Sequence, residues 1–392
     1  MSTADLTTFD PDRGVAYIQE AGIEQMPAPA AARGPIAWVR KNLLATWKDV
    51  LLTAVIILLA IWILPPLIKY ALIDAVWSGK DREACLATAQ NPEAGACWAF
   101  VRDRFSYFIY GSYPIAERWR VDIFFAMLAL GIVWMLKLNA PRRDIGAFYF
   151  FVIFPISAFI LLSGVKWMAP LFKPVDTSLW GGLLVTVVVA TVGIVVSLPF
   201  GIVLALGRRS KMPAVKLISV IFIEFVRGVP LITVLFMASV MLPLFVPEQY
   251  SPDKLLRALV GIAVFASAYM AEVVRAGLQA MPKGQFEGAM ALGLNYPKMM
   301  RLIILPQALR ITIPNIVNNY IALFKDTTLV YIVGVFDFLK TIEAARIDPT
   351  WSTPTTSTTG YLFAAIFYFI CCYAMSRYAK NTEARLAKAD RR

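Results

Sequence analysis

The chain has 392 residues, 59% of them hydrophobic, with a mean hydropathy of +0.64. Its apolar residues come in long runs, which excludes an ordinary soluble domain and marks an all-α polytopic membrane protein. A formal net charge of +12 would point to nucleic acid in a soluble chain; here basic cytoplasmic loops account for it, and no nucleic-acid partner is implied.

There is no histidine and there are four cysteines. That removes histidine-based acid–base catalysis, the usual zinc sites and haem ligation by histidine, so neither a catalytic residue nor a metal site is read. The only Gly-Lys pair, Gly79-Lys80, is followed by Asp81. The chain therefore lacks a phosphate-cradling loop and is not itself a P-loop ATPase.

Residues 1–48 read as a cytoplasmic tail, mostly irregular, with a short helix near Val15–Gly22 and no cleavable signal peptide. Arg40, Lys41 and Lys48 precede a first span at 50–73 and place the N-terminus inside. A polar stretch, 77–119, follows on the outer side. It carries Cys85 and Cys97, which either form a disulfide in that oxidising compartment, the favoured reading, or stay as two thiols.

The second and third spans fall at 121–138 and 145–165, separated by Lys137, Arg142 and Arg143, and Lys166 and Lys173 follow in an outer loop. A long fourth span, 179–206, ends inside at Arg208-Arg209-Ser210-Lys211, and its length calls for a tilt or an interfacial start. The fifth, 215–245, holds Pro230 and is expected to kink there. The sixth covers 255–276 and the seventh 303–325. An outer segment with Asp348-Pro349 and a Ser/Thr-rich run, 352–359, leads to the eighth, 361–379, and a basic tail follows. Eight spans with both termini inside divide as a tail (1–48), three helices (49–178), five more (179–379) and a basic cytoplasmic tail (380–392).

Between the sixth and seventh spans lies a short helix, 284–295. Pro282 precedes it, Glu287 sits near its positive end, and Gly293, Asn295 and Pro297 stop it. Phe286, Ala289, Met290 and Gly293 share one face looking into the cytosol, a stripe suited to a groove on a partner protein or simply an interfacial helix.

Charges and amides inside spans are functional candidates by default. Glu224 with Arg227, and Glu272 with Arg275, each stand three residues apart on one helix face, so an ion pair within each helix is available. They either form an inner gate or neutralise buried charge. Asn315, Asn318 and Asn319 make a polar stripe that bonds neighbouring helices or lines a path. Lys325 and Asp326 close that span at its outer end and either meet a zwitterionic solute or mark the interface.

Glu287-Gly288-Ala289, three residues, Gly293, nine residues, Ile303, and then Leu305-Pro306 resemble the cytoplasmic signature of ATP-binding-cassette (ABC) importer permeases. Gly288 stands where that family has Ala, which implies a slightly weaker helix. Phe225–Leu231, Tyr269–Arg275, and Ile313-Pro314 with Asn318, Ile321, Leu323, Lys325 and Thr327-Thr328-Leu329 narrow the likeness to polar amino-acid permeases, across 179–379. Val229 where Thr is common, and Ala276 where Gly often follows the Arg, are small departures. The three extra helices and the cysteine-bearing loop resemble the long permeases of proteobacterial general L-amino-acid uptake systems.

The resemblance implies a five-helix permease core preceded by three extra helices, in a bacterial inner membrane. It implies a non-catalytic subunit importing L-amino acids, polar or broad in range. Partners would be a pair of ATPase subunits that use ATP and Mg, a second related permease and a periplasmic binding protein, within membrane lipid; no cofactor is bound by this chain. Residues 284–295 would be the coupling helix, with Phe286, Glu287, Gly288, Ala289, Met290 and Gly293 docking the ATPase. The competing reading is an ion-coupled secondary transporter of small polar solutes, which would be expected to show internal repeats and an intramembrane acid for ion coupling.

Overall fold

The computed structural model describes residues 34–87, 93–137, 142–164 and 172–389. The expected helix at Val15–Gly22, Lys166 and the last three residues of the basic tail lie outside the described residues. Among the described residues, secondary structure is almost wholly helical: seven helices are long and apolar enough to cross a membrane, or eight if one bent pair counts as a span.

The described residues up to Ile68 form one compact unit. In it α1 (Pro35–Asn42) starts on a proline, which suits a first turn, and carries Arg40 and Lys41 at its negative end. A reciprocal cap opens α2 (Trp47–Ile68): the Asp49 N–H donates to the Thr46 hydroxyl, and the Asp49 carboxylate accepts the Thr46 N–H at 3.0 Å. No side chain of α2 is buried, as expected of a helix clothed by lipid.

The second unit, Lys69–Arg392, opens with a wide π-type turn, Lys69–Ile73, which completes the apolar stretch Trp47–Ile73. The polar stretch that follows is folded. It contains α3 (Trp98–Tyr110), with Phe100 and Phe108 fully buried. Cys85 and Cys97, both buried, are joined by a disulfide with Cα atoms 5.7 Å apart.

Next come α4 (Arg118–Leu136), α5 (Arg143–Phe148), α6 (Phe154–Ser163) and α7 (Gly182–Arg208). The expected kinked fifth span is instead two helices, α8 (Pro213–Gly228) and α9 (Leu231–Phe236), the latter continuing through a wide turn into α10 (Leu242–Phe245). The two arms meet at 104°. Pro230 supplies no N–H and forces Val229 into extended backbone (φ −108°, ψ 134°), so the helix stops rather than bends.

Then follow α11 (Lys254–Ala280), α12 (Lys283–Ala291), α13 (Tyr296–Met299), α14 (Leu305–Asp326), α15 (Phe338–Arg346) and α16 (Pro354–Ala389). The Ser/Thr-rich run is not an outer linker, because its residues 354–359 are the first turns of α16. Thr353 accepts the Thr356 N–H at 3.2 Å, a helix cap with proline in the first position, and Thr359 bonds back to the Thr355 carbonyl. Hydroxyls satisfied inside the helix lower the hydropathy without breaking it. Likewise α16 continues through the start of the basic tail to Ala389.

Three helices form the centre. A Cβ placed on Gly201 of α7 would lie 2.8 Å from Met270, and one on Gly193 would lie 3.2 Å from Ile262, so α7 and α11 run parallel in near-backbone contact. Gly277 of α11 faces the Ala308 carbonyl of α14, and Ile262 with Leu323 surrounds Gly193, so α14 runs antiparallel to both. Small residues dominate the buried side of α11 (Ala258, Gly261, Ala266, Ser267, Ala271, Gly277), which is what close packing between apolar helices requires.

At the end of α11 away from α12, a separate cluster joins the disulfide-bearing segment to α15 and α16. Phe100, Phe108, Phe338, Ile342 and Trp351 are buried together, the Trp351 indole donates to Asp103 at 2.8 Å, and Arg104 pairs with Asp348 at 2.8 Å. Hydrogen bonds from Thr350, and to a smaller extent the Arg104 charge, hold the Asp348 carboxyl below the usual carboxylate range.

Candidate functional site

At the opposite end, α12 is set almost at the surface by its sequence. Gly293 follows the helix with φ +70°, the left-handed conformation that glycine adopts without penalty. The Leu294 N–H donates to the Ala289 carbonyl at 3.2 Å and the Gly293 N–H to that of Met290 at 2.9 Å, the two bonds of a Schellman stop. The Asn295 side chain then accepts the Lys298 N–H and starts α13. The single expected helix 284–295 is therefore a helix ending at Ala291, a glycine turn and a new helix start.

The expected apolar face of α12 is split. Ala289 is 2% exposed and packs with Ile223, Met270, Val274, Met299 and Ile304 of the same chain. Phe286 is half-buried beside it, with the Arg209 guanidinium 5.7 Å from its ring. These two side chains hold the helix to its own core rather than face the cytosol. Glu287, Gly288, Met290 and Gly293 are exposed, and Leu292, which the stripe did not include, is the most exposed large apolar side chain here at 75%. A hydrogen bond between Gln307 and Gln285 (3.0 Å) ties α12 to the start of α14.

Behind α12 the intramembrane charges meet in one network, paired differently from the i, i+3 expectation. Arg275 does bind Glu272 at 2.6 Å. Glu224, however, pairs with Arg208 at 2.7 Å, and Arg227 points to Glu272 at 3.8 Å and lies over the Tyr269 ring. Arg208 also reaches Glu272 at 2.8 Å. It therefore bridges the ends of α7, α8 and α11, where the sequence showed only one member of a basic inner cluster. A repeat distance within a helix says which residues share a face, but not which neighbour packs there. Three guanidiniums around two carboxylates leave one net positive charge, and Glu272 is the most enclosed member, its side chain 14% exposed.

Asn315 and Asn318 are exposed and Asn319 half-buried on α14, and none of the three amides has a hydrogen-bond partner among the described residues. Among the described residues they bond no neighbouring helix. Lys325, exposed, and Asp326 end the same helix.

Residues 197–388, which hold α12, the charge network and the amide stripe, match the family described as binding-protein-dependent transport system inner membrane component. An inner membrane amino-acid ABC transporter permease of Escherichia coli, YhdY, is 49% identical over 92% of this chain and 95% of its own length. The glutamate/glutamine/aspartate/asparagine transport system permease BztC of Rhodobacter capsulatus is 38% identical over 96% of this chain and 99% of its own. A probable glutamine permease of Bacillus subtilis, GlnP, is 31% identical over 53% of this chain but 93% of its own length. The last match fits a short permease with an N-terminal extension added to it. This chain belongs to the inner-membrane permeases of binding-protein-dependent, ABC-type amino-acid transport systems.

Proposed function

We propose that the chain imports polar L-amino acids as one of two related permeases, with residues 179–379 as the transporting core and α12 as the lever moved by the ATPase. As a permease of this family it catalyses no reaction; a partner ATPase consumes ATP, and a binding protein delivers the solute. The polar range rests on the printed substrates of the Rhodobacter relative, glutamate, glutamine, aspartate and asparagine, and on the likeness over almost the whole of both chains.

One observation carries the coupling role. An exposed rim of Glu287, Gly288, Met290 and Leu292 stands on a helix whose other side, through Ala289, is fixed in the core of α8, α11 and α14. Force on the rim therefore reaches the charge network without passing through a loose loop. The network acts as an inner gate: α7, α8 and α11 are joined there by ion pairs that break and re-form between two packed states. The amide stripe of Asn315, Asn318 and Asn319 faces the second permease and lines the polar path between the two chains. Both termini lie in the cytoplasm, and the disulfide-bearing lobe lies in the periplasm.

The test is Glu287→Arg, assayed for amino-acid uptake and for recovery of the ATPase with the tagged permease. The expected result is loss of both, with the variant still present in the membrane at wild-type level. Undiminished uptake with normal ATPase recovery would overturn the coupling role.

A further inference from the structure

A cavity of about 610 Å³ lies among α4, α6, α7 and α11, far from α12. Its walls are apolar, led by Phe124, Phe154, Ala158, Leu162, Val192 and Leu259. Ser163, Asp176, Thr177 and Asp253 gather where α7 and α11 begin, and Thr191 lies deeper along α7. The charged groups lining it, among the described residues, are both acids. Trp180 in the same wall is 6% exposed, and among the described residues neither its indole N–H nor the Ser163 hydroxyl has a hydrogen-bond partner.

The parallel course of α7 and α11 fixes the depth of this cavity. It occupies the half of the bilayer opposite α12, with its acidic end toward the surface and its apolar body within the spans Ile145–Ser163, Gly182–Arg208 and Lys254–Ala280. Its volume lies in the roughly 300–1,000 Å³ range of small-molecule sites. The apolar body would strip water from the ammonium and carboxylate of an amino acid without replacing its hydrogen bonds, so a transported solute has no place there. A hydrocarbon chain has no such cost, and apolar cavities take apolar occupants rather than water.

Each acid is held in place as a helix cap. Asp176 accepts the Ser178 N–H at 2.8 Å and Asp253 the Leu255 N–H at 3.0 Å. Hydrogen bonds from Ser178 keep the Asp176 carboxyl below its ordinary range, so it is ionised at neutral pH. Two anchored carboxylates attract an ammonium headgroup and repel a phosphate without one.

We propose that this cavity binds one acyl chain of an ammonium-headed phospholipid, its amine at Asp176 and Asp253, and so seals the extra helices to the permease core. The test is native mass spectrometry of the detergent-purified transporter, titrated with phosphatidylethanolamine and, separately, phosphatidylglycerol. Wild type should bind one phosphatidylethanolamine about tenfold more tightly than phosphatidylglycerol. D176N/D253N, in which both caps keep an oxygen acceptor and the fold, should bind both lipids alike. A158F/V192F, which fills the cavity, should lose one bound phosphatidylethanolamine. Equal or tighter binding of phosphatidylglycerol by wild type, an unchanged preference in D176N/D253N, or unchanged lipid stoichiometry in A158F/V192F would each overturn the assignment.

Discussion

Gly288 and Gly293 stand five residues apart in the same signature, yet the structure uses them differently. A Cβ at either meets nothing within 4 Å, but only Gly293 has positive φ. Gly293→Ala should therefore cost about 1–2 kcal/mol, the penalty of a left-handed L-residue, and loosen the stop that aims the exposed rim of α12. Gly288→Ala should instead strengthen the helix by up to about 1 kcal/mol. Hydrogen exchange over 283–295, with uptake alongside, should show loss of protection and of transport for the first substitution and neither for the second.

A third residue sets a pH dependence. Burial pushes the Asp337 carboxyl up to about 6, against the N–H groups of Leu339 and Lys340, which it accepts as the cap of α15. A carboxyl raised in the folded state adds stability that is complete below its unfolded value of about 4 and lost as pH rises through about 6. The melting temperature should thus fall between pH 4.5 and 7 by more in wild type than in Asp337→Asn, in which no proton is exchanged.

At the scale of elements, glycine positions and one proline decide the shape. Gly201 admits the Met270 side chain of α11, and Gly277 admits the backbone of α14 with a Cβ-to-oxygen approach of 2.6 Å. At Gly201 the nearest atoms are Met270 Cβ and Cγ at 2.8 Å, next to their own backbone, and at Gly277 the helix carbonyl of Ala308 is closer still. Gly277→Val should accordingly destabilise more than Gly201→Ala, with an overpacking cost of about 1–3 kcal/mol or more, measured as the drop in melting temperature of the purified protein. The break between α8 and α9 shows the limit of reading a proline from sequence. A kink at Pro230 was legible, but its size was not, because 104° depends on where α9 finds its packing, with Leu231 and Leu235 buried beside Val330 and Ile262. The Ser/Thr run misled for a related reason: its hydroxyls look polar along the chain and are satisfied inside the folded helix.

Within the unit Lys69–Arg392, the network of Arg208, Arg227, Arg275, Glu224 and Glu272 lies at one end and the cross-linked lobe at the other. Glu272 joins three arginines from three helices, so Glu272→Gln should weaken the network well beyond the loss of one i, i+3 pair. About 3–5 kcal/mol for breaking a buried pair is an upper bound here, because 14% of the side chain stays exposed. Transport should fall with the ATPase still bound, which separates this variant from Glu287→Arg. At the other end, Cys85→Ser/Cys97→Ser opens a loop with a sequence separation of 12 residues. It should lower stability by about 3 kcal/mol in the chain-entropy picture, seen as a lower melting temperature.

The amino-acid sequence by itself determined the membrane class, the positions of most spans and the permease family. Hydropathy, capping residues and motif spacing are all local along the chain, so the glycine turn after α12 and the signature could be read without a fold. Only the tertiary structure decided which side chains meet. Arg208 became the centre of the network because parallel packing brings the end of α7 to α8 and α11. Ala289 turned inward because α12 lies across the ends of α11 and α14. The lipid-sized cavity exists only between helices whose sequences each read as ordinary spans. Contacts of this kind join residues tens to hundreds of positions apart, and no periodicity within one helix encodes its neighbour.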